Sequence, residues 1–338
     1  MNARVSVIIL NWNGKPYLKG CLSSVMAQTY PDFQAVLVDN GSTDGSAEFV
    51  AQRFPQVRII RHEENLCFAA GNNTAIRATR SPYVATLNNA AQAEPTWLAE
   101  LVEAMESDDQ VGMCASRMLY THRPEVIDSA GLSPDVAGIA WNRRWGEHDV
   151  DGDTEPTEVF GACAGAALYR RAMLHQIGLF DEDFFAYLED ADLAWRARLA
   201  GWKCLYVPMA VAYHVHSATG GVGSPFKNYL LGRNKIWTIV KNYPSPQLFC
   251  YLPLIVACDL AAVAYGLLAR GDISPLRGRL AALRALPAAW QKRRAIQRQR
   301  VVPFADLARH MSPLRSPLSI LRQARSLPGP SEVVPSSG

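Results

Sequence analysis

The sequence predicts an α/β protein built on a doubly wound, mostly parallel sheet flanked by helices, with a helical, membrane-associated appendage at its C-terminal end. Three observations carry this. Short apolar runs alternate with segments of helical spacing up to about residue 117. Those apolar runs are nearly continuous, as in strands covered on both faces. Near residue 244 the composition turns into a long apolar stretch followed by a dense run of Lys and Arg.

Taken in order, residues 5–10 read as a strand, 15–28 as a helix, 33–38 as a strand and 46–54 as a helix. Residues 57–61 follow as a strand, 68–78 as a helix, 83–87 as a strand, 97–105 as a helix and 111–117 as a strand. The strand exits are polar: Asn11-Trp12-Asn13-Gly14, then Asp39 through Gly45, Glu63-Glu64-Asn65, and Asn88-Asn89-Ala90. Any one of these is adequately explained as a turn. Four that converge on one sheet edge point to a ligand, because open sheets of this class bind beyond the carboxyl ends of their strands. No strand leads into G-x-G-x-x-G, and Gly14-Lys15 runs into Pro16, so neither a dinucleotide fingerprint nor a P-loop is present.

Residues 158–205 form a second informative block. Small residues at 161–167 permit close backbone approach. Phe180 through Phe185 make an acidic, aromatic turn, and residues 187–200 have helical spacing closed by Gly201. Glu189, Asp190 and Asp192 fall in the first turns of that helix. Complementing the macrodipole accounts for one or two acids there, less well for three beside an aromatic cluster. His214 and His216 then precede Gly220, Gly221 and Gly223, which reads as a lid over a site.

The chain divides at 243. Residues 248–268 carry one charge, Asp259, and one proline, Pro253, and are long enough to cross a bilayer. A full crossing and an embedded or interfacial hairpin are both compatible with that stretch. Residues 270–300 hold nine Lys/Arg against Asp272, so an anionic membrane surface is the expected partner. Nucleic acid is not, since Trp290 is the single aromatic interleaved with those charges. Residues 244–325 thus read as the membrane-associated region and 326–338 as a disordered tail. Seven cysteines without a C-x-x-C pair argue against a disulfide framework or zinc site and fit a reducing compartment. The first apolar run is too short for a signal peptide.

Residues 4–243 resemble a bacterial family 2 glycosyltransferase of GT-A type fold, near the rhamnosyltransferases of cell-surface polysaccharides. The resemblance rests on ordered blocks: "VSVIILNWNG", "VLVDNGSTDGS", "NLCFAAGNNTAI", "ATLNNAAQAEPTWL", "GACAGAALYRRAMLHQIGLFDEDFFAYLEDADLAWRARLAGW", "AYHVHSA" and "GRNKIW". It implies an inverting, metal-dependent enzyme moving a sugar from a nucleoside diphosphate sugar donor to a lipid-linked or polysaccharide acceptor. The work would be done at the cytoplasmic face of the inner membrane.

The same resemblance implies that Asn11 and Asp39 line the nucleotide pocket and that Gly71, Asn72, Asn73 and Asn88 lie against the nucleotide sugar. Asp190, paired with Glu189, is implied as the base that deprotonates the acceptor. His214 is implied as a metal or diphosphate contact, and Arg233 as a residue near the diphosphate or shaping the lid. Mg2+ or Mn2+ is implied as the cofactor, held by an aspartate where this chain has Ala90. A methyl group cannot coordinate a cation, so weakened metal binding and slow or lost transfer are expected. Cys67 and Ala75 likewise stand where relatives commonly have glycine. The rival expectation is a non-catalytic nucleotide-sugar-binding or scaffold protein of the same fold.

Overall fold

A computed structural model describes residues 3–149, 154–215 and 224–315. Its strands are β1 (Val5–Asn11), β2 (Phe33–Asn40), β3 (Arg58–His62), β4 (Tyr83–Leu87), β5 (Ala91–Ala93), β6 (Val111–Tyr120), β7 (Arg123–Ser129), β8 (Leu132–Pro134), β9 (Ala140–Asn142), β10 (Thr157–Val159), β11 (Ala166–Arg170) and β12 (Lys203–His214). The helices are α1 (Lys15–Met26), α2 (Ser46–Arg53), α3 (Cys67–Ala78), α4 (Trp97–Glu106), α5 (Arg171–Ile177) and α6 (Glu189–Leu199). They continue with α7 (Pro225–Asn242), α8 (Ser245–Arg270), α9 (Ser274–Arg284), α10 (Leu286–Arg298) and α11 (Phe304–Ala308).

The main sheet runs β10-β12-β6-β11-β4-β1-β2-β3, with β5 added to β12 and β7 to β6. β1 lies parallel to β2 and β4, β2 to β3, and β12 to β6. β11 is inserted antiparallel between β4 and β6. The continuous apolar runs are explained by burial on both faces. On β1, Ile8 joins the cluster with Val36, Val38 and Ile76, while Val7 and Ile9 join the opposite cluster with Leu18, Leu22 and Leu37.

The nine elements read from periodicity fall where expected, with ends shifted by at most three residues, while the short β5 was not among them. Helix α1 stops at Met26, and beyond it the Gln28 side chain serves tertiary structure: its Nε2 donates to Glu94 O at 2.8 Å and its Oε1 accepts from Leu98 N at 2.8 Å. β11 escaped the sequence reading because Ala166 and Ala167 carry little strand preference, and the block reads as packing residues.

After α7 the chain folds back on itself. Leu248, Ile255 and Leu307 pack into the same cluster as Phe160, Trp195 and Tyr243. α9 presses tightly on α7, where a Cβ at Gly278 would stand 2.1 Å from Tyr229 O. Asp259, the single charge of the apolar stretch, accepts from Lys235 Nζ of α7 at 3.1 Å and Arg279 Nε of α9 at 2.8 Å. His216, the glycines of the expected lid and the expected tail at 326–338 lie outside the described residues.

Candidate active site

The sheet brings the predicted exits together. Asn11 at the end of β1 stands in register with Asp39 on β2. The Asn11 amide is wholly buried, donating to Ser42 Oγ at 3.2 Å and accepting from Asn89 Nδ2 at 2.8 Å. It ties three strand exits to one another. Asp39 differs: its carboxylate is almost fully buried, yet its Oδ1 has no hydrogen-bond partner. A buried acceptor left unsatisfied is costly and calls for an explanation. Its neighbour Asn40 is spoken for, with Nδ2 donating to Asn65 Oδ1 at 2.7 Å and Oδ1 accepting from Leu66 N at 3.1 Å.

Gly71, Asn72 and Asn73 sit inside the fold. A Cβ at Gly71 would lie 2.4 Å from Leu10 Cδ1, so the glycine lets α3 close on β1. Asn72 Nδ2 donates to Phe68 O at 2.9 Å. Asn73 Nδ2 donates to Phe180 O and Glu182 Oε1, while its Oδ1 accepts from Phe180 N. These two amides are 1 % exposed and are used by protein partners.

At the tip of β4, Asn88 N donates to Gly165 O at 2.7 Å, and Asn88 Oδ1 accepts from Ala90 N at 2.9 Å, which tightens the turn. β5 then pairs with β12 so that Ala91 stands opposite His214, and Val215 N donates to Ala90 O at 3.0 Å. Ala90 and His214 are therefore neighbours on the rim. His214 Nδ1 lies 2.7 Å from Oδ2 of the buried Asp128. The residues present do not fit a resident cation. Ala90 offers a methyl group, and among the described residues no three His, Cys, Asp or Glu side chains gather as a metal site.

Across the rim, α6 opens with Glu189 and Asp190. Asp190 Oδ2 accepts from Ala164 N at 3.2 Å and Oδ1 from Ala191 N at 2.8 Å. The 161–165 segment thus holds Asp190 through Ala164 and the Asn88 turn through Gly165. Burial pushes the Asp190 carboxyl up. Burial and then the charge of Asp190 push buried Glu189 well up, and Glu189 Oε2 has no partner. Between the two sides sits Cys163, whose thiol is raised by burial and by the charges of Asp190, Asp128 and Glu189.

Asp192 belongs to the scaffold. Fully buried, it accepts from Arg196 Nε at 2.9 Å and Asn242 Nδ2 at 2.8 Å and pairs with Lys241 at 2.7 Å. Lys241 also pairs with Asp181 at 2.6 Å. Burial raises both carboxyls, but Lys241 outweighs it with Arg196 at Asp192 and with Lys292 at Asp181, so both end below the ordinary value of 3.8. Carboxylates lowered on folding stabilise the protein above the unfolded value, and that contribution is lost as pH falls through the lower folded values. Chemical denaturation followed from pH 6 to pH 2 is expected to show stability falling below about pH 4, with a shallower fall in Asp192→Asn.

The turn that presents Asp190 is strained. Phe185, Tyr187 and Leu188 adopt φ of 67°, 68° and 68°, unusual for non-glycine residues. It is held from behind by α7. The wholly buried Asn234 Nδ2 lies 2.7–2.9 Å from the carbonyl oxygens of Phe184, Ala186 and Tyr187. Arg233 stacks 4.4 Å from the Trp237 ring centroid and donates to Asp183 O and Phe184 O. Arg233, implied as a residue near the diphosphate or shaping the lid, here holds the turn. Asn234→Ala would leave those carbonyls short of a donor and is expected to cost about 2–4 kcal/mol of unfolding free energy, read by urea denaturation.

Sequence reasoning passed over Asn234, whose only signal was membership of "GRNKIW". It also passed over Lys227, for which periodicity gives no sign. Lys227 Nζ stands 5.2 Å from the Tyr187 ring centroid, its ammonium lowered by burial and partly restored by Asp128.

The family model described as "Glycosyl transferase family 2" matches residues 6–178, just over half of the chain. An N-acetylglucosaminyl-diphospho-decaprenol L-rhamnosyltransferase of Mycobacterium tuberculosis is 31% identical over 247 residues, covering 63% of this chain and 77% of the relative. An O-antigen biosynthesis protein of Myxococcus xanthus is 28% identical over 232 residues, 64% of this chain and 18% of that one. Among solved structures, the mannosyltransferase PcManGT of Pyrobaculum calidifontis, in complex with GDP-Man and Mn2+, aligns with a TM-score of 0.53 at 20% identity, covering 88% of this chain and 86% of that one. GalNAc-T7 with UDP, GalNAc and Mn2+ aligns with a TM-score of 0.58 at 18% identity over 71% of this chain and 48% of that one, so the chain spans about half of it. S. aureus TarS 1-349 gives 0.56 at 17% identity and 88% coverage of each. These likenesses bear out the GT-A type fold. On the family match, the chain belongs to glycosyltransferase family 2, and it is a glycosyltransferase.

Proposed function

We propose that this glycosyltransferase inverts the anomeric centre, taking a sugar from a nucleoside diphosphate donor and placing it on a lipid-linked acceptor in cell-surface glycan synthesis. The observation that carries the reading is Asp190, a carboxylate raised by burial and held by one short segment across from the Asn88–Ala90 turn. Asp39 supplies the nucleotide end, its unsatisfied Oδ1 awaiting an N–H of the base. Asp190 takes the proton of the acceptor hydroxyl as that oxygen bonds to the anomeric carbon. The carbon–oxygen bond to the diphosphate breaks on the opposite side, and the nucleoside diphosphate leaves with the electron pair. No enzyme nucleophile intervenes, so configuration inverts. Lys227 lies near enough to the His214–Asp128 side to offset phosphate charge.

The name of the mycobacterial relative supports a lipid-diphosphate-linked sugar as acceptor class and rhamnose as the transferred sugar. Ala90 leaves the turn itself without a carboxylate for Mg2+ or Mn2+, and the reading includes slow transfer for that reason. The same residue favours the second reading, a nucleotide-sugar-binding protein that no longer transfers. Thermal shift across a panel of nucleoside diphosphate sugars tests the donor site, since a ligand of the folded state raises the melting temperature. One donor is expected to stabilise the chain and to lose that effect in Asp39→Ala. Equal, negligible shifts for every donor would sink the assignment.

A further inference from the structure

We infer that α8 lies in the plane of an anionic membrane surface and does not cross the bilayer. Its 26 residues measure about 39 Å, enough for a crossing by length alone. Its packing argues otherwise. α9 packs between α7 and α8, and side chains tie α8 to both: Lys235 of α7 and Arg279 of α9 meet Asp259 at mid-helix, and Asn228 of α7 donates to Asp272 just past the end of α8 at 2.8 Å. α7 is the helix that braces the catalytic turn through Arg233 and Asn234. A crossing would carry α7 and its buried Lys235 and Lys241 into hydrocarbon, or strip Asp259 of both cations at the middle of the span.

What α8 turns outward is apolar. Phe249, Leu252, Val256, Leu260 and Leu267 are exposed and recur at helical spacing along one flank, and Tyr265 and Leu268 extend the exposed apolar surface around the C-terminal end of the helix. The neighbouring helices supply the charge. Arg279 and Arg293 are drawn inward to Asp259 and to the Val240 and Tyr243 carbonyls, and Lys292 to Asp181 and Asp183. Arg270, Arg277, Arg284, Arg294, Arg298 and Arg300 stay exposed. An apolar helix flank beside exposed arginines is the pairing that seats a helix among anionic headgroups. The inference names a partner for the proposed lipid-linked acceptor reading, but vesicle binding needs neither donor nor acceptor, so each can fail alone.

Flotation of the full chain with phosphatidylglycerol vesicles and with phosphatidylcholine vesicles tests it. The chain is expected to float with the first, at least tenfold less with the second, and to be released by alkaline carbonate. Leu252→Glu/Leu260→Glu is expected to cut the floated fraction at least tenfold while cooperative unfolding persists. Should that variant misfold, Arg277→Glu/Arg284→Glu leaves α8 untouched and is expected to lower binding and weaken its salt dependence. Failure of the wild type to float, resistance to carbonate, a stable dimer that ignores vesicles, or full binding by a folded variant would each overturn the inference.

Discussion

Replacing Ala90 with aspartate is expected to raise sugar transfer by about 10²–10³-fold with Mn2+ or Mg2+ present, a range typical of restoring one electrostatic contact to developing charge. The position earns this expectation geometrically. Residue 90 is fixed by the Asn88 side chain on one side and by Val215 N on the other, next to His214. A carboxylate there would join His214 at the rim, giving a cation two protein groups and leaving its remaining positions to donor oxygens. The assay compares transfer and donor hydrolysis by both proteins, with metal and with chelator. If Ala90→Asp stays inert while both proteins bind donor equally, the binding-protein reading replaces the enzymatic one.

The second large effect is a loss. In the Ala90→Asp background, Asp190→Asn is expected to lower transfer by about 10²–10⁴-fold, the usual worth of a general base, with donor affinity unchanged. Asparagine can keep one of the two backbone donors, Ala164 N or Ala191 N, but cannot take a proton at neutral pH. Near-normal turnover would assign the proton to another group. Asp192 is a poor candidate, since Lys241, Arg196 and Asn242 already occupy it. Glu189 would then be tested, with its unpartnered Oε2.

Much of the frame is legible in the sequence because β1, β2 and β4 are covered on both faces, and continuous apolar runs announce such strands. The rim is legible for the same reason: where those runs stop, Asn11, Asp39 and Asn88 must follow. The roles of individual polar residues are harder to read. Asn11, Asn73 and Arg233 are implied near the donor by the family resemblance alone, and in the fold each also hydrogen-bonds to the protein. Only long-range pairing decides this, since Asn73 meets Phe180 from more than a hundred residues away. The antiparallel β11 and the strained turn before Glu189 were hidden too. Alanines do not advertise a strand, and positive φ at Phe185, Tyr187 and Leu188 runs against residue preference.

Arg233, Asn234 and Lys235 are consecutive, yet the first two grip the turn before Asp190 and the third grips α8. On the proposed reading, with α8 resting on lipid, the Asp190 carboxylate would keep a set height above the headgroups. A lipid-linked acceptor drifting sideways within the leaflet would then present its hydroxyl at that same level. The encounter would become a search over an area instead of a volume, and one enzyme molecule would serve successive acceptors without leaving the surface.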